Sequence, residues 1–308
     1  MHLTGTPIWC DARRRRDVCF VSSVERIGKP GHGQLIGTAP MLALLGAYGG
    51  GHLAVPLRQR FTLGTLRLEL IPSGRGLGTA ALWVDAIGRT ALYAGAIRST
   101  LAPGSLGEVA EVRSCDALVI DAPFGEPHHA FAPWADVAAQ VTAWVRAQLA
   151  AGARVAIDVD SVLDGLEVAA QLAADGLAVA GSRVMREAAA RLTGMATRVP
   201  VLDPLRKDAR LVVRLEGEHT RLASPPRTAL VAARAIEPAP PTHDARFAWP
   251  FVAGRAPLLA WIEQARAKDI FVTGAGAEAI VAAIGPRARL LGPPRQMSLF
   301  PAVREAPR

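Results

Sequence analysis

The stretch from Leu66 to Arg98 constrains the fold more tightly than any other part of this chain. Leu66, Leu68 and Leu70 alternate with Arg67 and Glu69, the period of a strand that buries one face, and Pro72 closes it. Gly74, Gly76 and Gly78 then supply a glycine-rich turn. A second strand is expected from about Thr79 to Val84, a hairpin turn over Asp85 to Gly88, and a returning strand from Arg89 to Ala94. Because antiparallel strands flank it, the Ser73 to Gly76 turn is not a strand-to-helix phosphate loop despite its glycines.

A different rhythm follows further on. Trp134, Val137, Val141, Trp144, Val145 and Leu149 share one helical face, which predicts a helix over Pro133 to Ala151. Arg154 to Val159 reads as a strand, Val162 to Ala174 as a helix, Leu177 to Ala180 as a strand, and Ser182 to Leu192 as a helix capped by Ser182. Strand and helix in alternation imply a parallel sheet. Ala209 to Leu215 and Ala229 to Ala235 are expected to be strands returning to the first domain. A helix over Pro257 to Ala267 should then lead into a strand over Ile270 to Thr273.

Half of the 308 residues are hydrophobic, enough for one large domain or two intimately joined ones. No apolar run is long enough to span a bilayer, and the first residues lack the basic and apolar regions of a signal peptide. The expectation is a cytoplasmic protein without a membrane partner. Cys10, Cys19 and Cys115 are odd in number and read as buried thiols in a reducing compartment. The formal charge is +8, carried almost wholly by arginine, since only Lys29, Lys207 and Lys268 are lysine. That excess permits contact with phosphate, although a compositional bias toward Arg and Ala would give the same number.

Five short frames follow one another in order: Cys10 to Arg14 running into Phe20 to Gly28, Pro72 to Ala80, Cys115 to Gly125, Phe247 to Leu259, and Val272 to Gly276. Together they resemble the frames of metallo-β-lactamase-fold nucleases of the β-CASP group, nearest to the bacterial exonucleases associated with DNA ligase. The resemblance covers roughly residues 8 to 285. It implies an α/β fold, a metallo-β-lactamase αββα sandwich with an inserted β-CASP domain of parallel α/β type. The sandwich would take residues 1–115 and 245–292, the insertion 116–244, and a flexible tail 293–308.

The same register implies that the metal ligands are gone. The first histidine cluster falls on Ser23, Glu25 and Gly28, with its aspartate at Ile27. The later ligand positions fall on Arg75, Ala96, Val252 and Gly274, and only Asp121 keeps an acid. A zinc ion needs three or four nitrogen, oxygen or sulfur donors, so the expectation is no metal, no cofactor and no metal-assisted hydrolysis. Arg75 either occupies the vacated space, paired with Asp121 or a phosphate, or reaches out to solvent. His128 and His129 lie off the motif and are expected at the surface or facing DNA. Arg13, Arg14, Arg75 and Arg98 are the candidate nucleic-acid contacts. Gly274 and Gly276 stand too near the end of the chain for a dinucleotide fingerprint.

In the tail, Gln296, Met297, Ser298, Leu299 and Phe300 resemble the bacterial motif that binds the sliding clamp, or β-clamp. The resulting expectation is a catalytically inactive relative of a β-CASP exonuclease. It would serve as a DNA repair or replication accessory or scaffold, tethered to the clamp. DNA and an active repair nuclease, ligase or helicase would be its other partners. The alternative is an active metal-dependent nuclease or hydrolase with a relocated site, using Glu25, Asp121, Asp158 or Asp160 with magnesium. A protein-interaction module with no nucleic-acid role is the third reading.

Overall fold

A computed structural model describes residues 1–3, 5–27, 31–47, 49–100, 102–195 and 198–292. The first elements are β1 (Ile8–Cys10), β2 (Val18–Phe20), β3 (Gln34–Gly37), α1 (Ala39–Leu44) and β4 (Leu53–Ala54). Their strands form a parallel four-stranded sheet in chain order. Thr38 caps α1, its hydroxyl accepting from the Met41 amide. Next come β5 (Arg60–Leu63), β6 (Leu66–Pro72), β7 (Ala80–Ala86), β8 (Arg89–Gly95) and β9 (Ala117–Asp121). β5 to β8 are antiparallel, as the alternation in β6 and the short turns require, and β9 lies parallel beside β8.

The chain then leaves this sheet for α2 (Trp134–Ala150), β10 (Val155–Val159), α3 (Val162–Ala174), β11 (Ala180–Gly181), α4 (Arg183–Leu192), β12 (Asp203–Pro204), β13 (Leu211–Leu215), β14 (Arg227–Ala232) and β15 (Ala245–Ala248). The six strands make a parallel sheet in the order β12-β11-β13-β10-β14-β15. Finally α5 (Arg255–Gln264), β16 (Asp269–Thr273), α6 (Ala277–Ile284) and β17 (Ala288–Leu290) bring the chain back. β16 and β17 extend the second sheet to seven strands, β17-β16-β9-β8-β7-β6-β5.

Alternation along the strands decides what each face buries. Ile8, Phe20 and Ile36 from the first sheet pack with Leu68, Leu70, Leu82 and Tyr93 from the second, so these two sheets share a core. The other face of the first sheet, through Cys19, Val21 and Leu35, meets Leu42 of α1. The other face of the second, through Leu92, Leu118, Ile120 and Val272, is covered by Trp261 and Ile262 of α5 and Ile280 of α6. The layers thus run helix, sheet, sheet, helix, two sheets packed on each other and closed by helices. A separate core lies between the six-stranded sheet and α2, α3 and α4, centred on Ile157, Val159, Leu166, Met185 and Val213.

Four expectations are corrected here. β13 and β14 do not return to the first domain; they flank β10 in the six-stranded sheet. β9 and β15 also sit on the other side of the boundaries drawn at residues 116 and 244, β9 in the seven-stranded sheet and β15 in the six-stranded one. The strand expected at Leu177 to Ala180 is shifted to Ala180–Gly181. α5 starts at Arg255, with Pro257 in its first turn, where a missing amide proton costs no hydrogen bond.

Candidate functional site

At one end of the seven-stranded sheet, β6 passes into the Gly74 turn and β9 and β16 finish at Asp121 and Thr273. The loops after β1 and β2 reach the same place. Asp11, Arg13, Glu25, Arg26, Arg75, Tyr93, Asp121, Thr273 and Gly274 line a cavity of about 560 Å³ there. Residues spread over more than 260 positions of sequence therefore meet, among them Glu25, Arg75, Asp121 and Gly274 from the expected set.

Two guanidiniums fill the centre of this site. Arg75 Nη1 lies 3.0 Å from Glu25 Oε2, and its Nη2 lies 3.5 Å from Asp164 Oδ1 on α3. Arg26 donates through Nη1 to Asp121, and its Nε lies 3.7 Å from Asp11 Oδ2. Each cation thus stands between two carboxylates. Burial works against the Arg26 charge, but Asp121, Tyr93 and Asp11 outweigh it, and its pKa ends above the ordinary arginine value. Arg75 behaves likewise, with Glu25 and Asp164 overcoming the cost of burial. A cation at this site would compete with the guanidiniums for the carboxylates.

Asp11 was missed by sequence reasoning. It takes a left-handed conformation, φ 46°, which allows its carboxylate to turn back on the Ser22 amide at 2.8 Å and the Tyr93 hydroxyl at 2.8 Å. Burial pushes its pKa up against these hydrogen bonds, and Tyr93 is raised for the same reason, with Asp11 adding to it. Asp164, 4% exposed, is pushed up to about 8 by burial and by the Glu25 charge. For Asp11 the available sequence signal was an acid two residues ahead of the four arginines Arg13 to Arg16.

The other expected positions have become packing. Ile27 joins Cys19, Val21 and Leu35 in an apolar cluster. Ala96 and Val252 do meet, but in an apolar cluster with Ala233, Phe124 and Phe131. Ser23 is buried, and its hydroxyl has no partner among the described residues. Gly274 is more than a missing side chain. Its φ is 98°, and an added Cβ would stand 2.6 Å from Asp121 Oδ1, so this backbone excludes any larger residue. Gly28 and the tail from Gln296 to Phe300 lie outside the described residues.

Arg75 is paired with Glu25 and Asp164 rather than Asp121, which Arg26 takes instead. Arg98 is withdrawn from the nucleic-acid set. It is 2% exposed and grips Glu167 of α3 with both Nη atoms, at 2.8 and 2.9 Å. Arg13 and Arg14 are exposed, as is Arg15, and Arg13 stands at the cavity. Arg16 stacks 3.8 Å from the centre of the Trp9 ring. The carboxylates of the alternative reading are all ion-paired. Asp158 holds Arg214 at 2.6 Å with His243 at 3.1 Å, and Asp160 holds Arg234 at 2.7 Å.

Among the described residues, one group has the spacing of a metal site, His128, His129 and Glu237. His129 is buried, against the expectation of a surface residue. Its Nδ1 accepts a hydrogen bond from the Glu126 amide at 3.0 Å, so the ring proton belongs on Nε2, which donates to Glu237. That proton occupies the lone pair a metal would need. The group acts as a hydrogen-bonded tie between the loop after β9 and the segment before β15. The three cysteines are buried and unpaired, and Cys10 and Cys19 face opposite sides of their sheet.

No protein-family model matches the chain, and no curated protein matches it. Among solved structures, it is similar to a protein of unknown function from Enterococcus faecalis V583. The TM-score is 0.59 at 12% identity, covering 90% of this chain and 79% of that one. That likeness concerns the fold alone. No helix among the described residues is long and apolar enough to cross a membrane.

Proposed function

We propose that this chain is a metal-free relative of the β-CASP exonucleases that works by binding, as a DNA repair or replication accessory or scaffold. The observation that carries the reading is the convergence of Glu25, Arg75, Asp121 and Gly274 on one cavity whose centre is held by two guanidiniums. These positions come from four separate frames of the sequence resemblance. Their meeting supports the register, and the Arg26 and Arg75 pairs support a site that has exchanged metal ions for fixed organic cations. The helix-sheet-sheet-helix layering fits a metallo-β-lactamase sandwich, and the six-stranded parallel sheet fits an inserted β-CASP domain.

DNA is held at the rim rather than in the cavity. Each internal guanidinium is already engaged by acidic side chains, Arg26 by Asp121 and Asp11 and Arg75 by Glu25 and Asp164, whereas Arg13, Arg14 and Arg15 are exposed and make no ion pair among the described residues. The tail from Gln296 to Phe300 tethers the protein to the sliding clamp, raising its concentration at replicating or repaired DNA without a tight second contact. The partner that acts on the DNA is a nuclease, ligase or helicase.

Replacing Arg13, Arg14 and Arg15 together by Ala should weaken DNA binding and reduce its log–log salt slope by about 0.9 for each phosphate that is no longer neutralised. The double change Leu299→Ala, Phe300→Ala should abolish capture by the clamp. Stoichiometric zinc in the purified protein, or manganese-dependent cleavage of DNA, would end the metal-free reading.

A further inference from the structure

The hairpin joining β7 to β8 carries an anomaly at the end of the sheet away from the cavity. Ala86 pairs with Arg89, so the loop is the two residues Ile87 and Gly88. Their φ values are 53° and 80°, both left-handed, as a mirror-image hairpin turn demands. Asn or Asp fits the first of these positions, because a β-branched side chain is strained there. This chain places isoleucine in it and leaves that isoleucine 87% exposed. A strained backbone holds an apolar side chain out into solvent at the tip of a rigid ribbon.

The surroundings carry more cations than acids, although Asp85 of the turn itself accepts from the Gly88 amide at 2.9 Å and Asp269 lies nearby. The register brings the starts of β6, β8, β9, β16 and β17 to this same end of the sheet. Arg67, Arg89 and Arg266 are exposed there and make no ion pair among the described residues. Lys268 is 81% exposed beside Asp116. β7 is seven residues long, which sets this end about 20 Å from the cavity.

We propose that Ile87 is a wedge that enters between stacked bases of duplex DNA while the surrounding arginines hold the phosphates. One apolar side chain in a field of cations is the equipment for unstacking a base step, where a single inserted residue suffices. The contact is separate from the arginines at the cavity rim and stands or falls without them.

The test uses the full chain and duplex DNA with 2-aminopurine beside a TA step, which unstacks readily. Wild type should raise the probe's fluorescence on binding. Ile87→Asn should raise the melting temperature by relieving the turn, yet bind DNA roughly tenfold more weakly and leave the fluorescence flat. Ile87→Leu should keep most of the signal. The variant lacking Arg13, Arg14 and Arg15 should still raise the fluorescence at saturation, so failure of the rim contact is told apart from failure of the wedge. An Ile87→Asn protein that binds and unstacks like wild type overturns the proposal. So does a wild type that binds vesicles of anionic phospholipid and ignores DNA.

Discussion

Arg98 and Glu167 join the seven-stranded sheet to α3, and removing either should cost stability in a way the other does not. Both side chains are 2% exposed. Glu167 accepts from both Nη atoms of Arg98, from Ser105 Oγ at 2.8 Å and from Trp249 Nε1 at 3.0 Å, while Arg98 Nε donates to the Gly74 carbonyl at 2.9 Å. Burial alone would raise the Glu167 pKa, but Arg98 and these hydrogen bonds overcome it and hold the carboxyl below its usual range. Glu167→Gln keeps the shape and strands a guanidinium that cannot shed its proton. Breaking a buried pair in this way costs about 3–5 kcal/mol.

Arg98→Met leaves a carboxylate that has an escape, because it can bind a proton. From an ordinary glutamate pKa, protonation costs at most about 4 kcal/mol at pH 7 and about 1 kcal/mol at pH 5. The orphaned Gly74 carbonyl adds about 1–3 kcal/mol at either pH. In this variant the folded pKa of Glu167 lies above the unfolded one, so the loss relative to wild type grows as pH rises and shrinks as it falls. Denaturant unfolding of wild type and both variants at pH 5 and pH 7 measures the difference. Arg98→Met should recover about 2–3 kcal/mol between pH 7 and pH 5, whereas Glu167→Gln should recover almost nothing. Equal pH dependence in the two variants, or a cost below about 1 kcal/mol for Glu167→Gln, would refute the reasoning.

Asp164 is pushed up to about 8 by burial, so its contribution to stability is full at low pH and declines as pH rises from about 4 toward 8. Asp164→Asn should therefore melt at or above the wild-type temperature at pH 8, with the advantage vanishing near pH 4; a variant less stable than wild type at pH 8 would mean the Arg75 pair dominates. Replacing both Arg26 and Arg75 by Ala leaves Asp11, Glu25, Asp121 and Asp164 without their counter-cations. That variant should lose stability and regain part of it in millimolar magnesium or manganese, read by melting temperature and by calorimetric titration, while wild type should show no such rescue.

The local frame was legible because it is written in short-range terms. Leu66, Leu68 and Leu70 announce β6 by alternation, Ser161 and Ser182 announce the starts of α3 and α4, and the two-residue turn before Arg89 returns the chain on itself. Partnership between distant strands is not written that way. β13 and β14 read as strands from their apolar runs, but which sheet they join depends on β10, more than 50 residues upstream, and nothing local distinguishes the two choices. The site divides along the same line. Sequence register placed Glu25, Arg75, Asp121 and Gly274, and the structure brings them to one cavity. Arg26 and Asp164 were missed because their partners are remote, 95 residues for Arg26 with Asp121 and 89 for Asp164 with Arg75. One signal was available. Asp164 and Glu167 stand three apart, on one face of a helix that is otherwise almost wholly apolar. Two acids on the buried side of such a helix call for polar partners from elsewhere in the fold, and Arg75 and Arg98 supply them. Those two pairs, more than any motif, explain why neither Arg75 nor Arg98 is free to hold a nucleic acid.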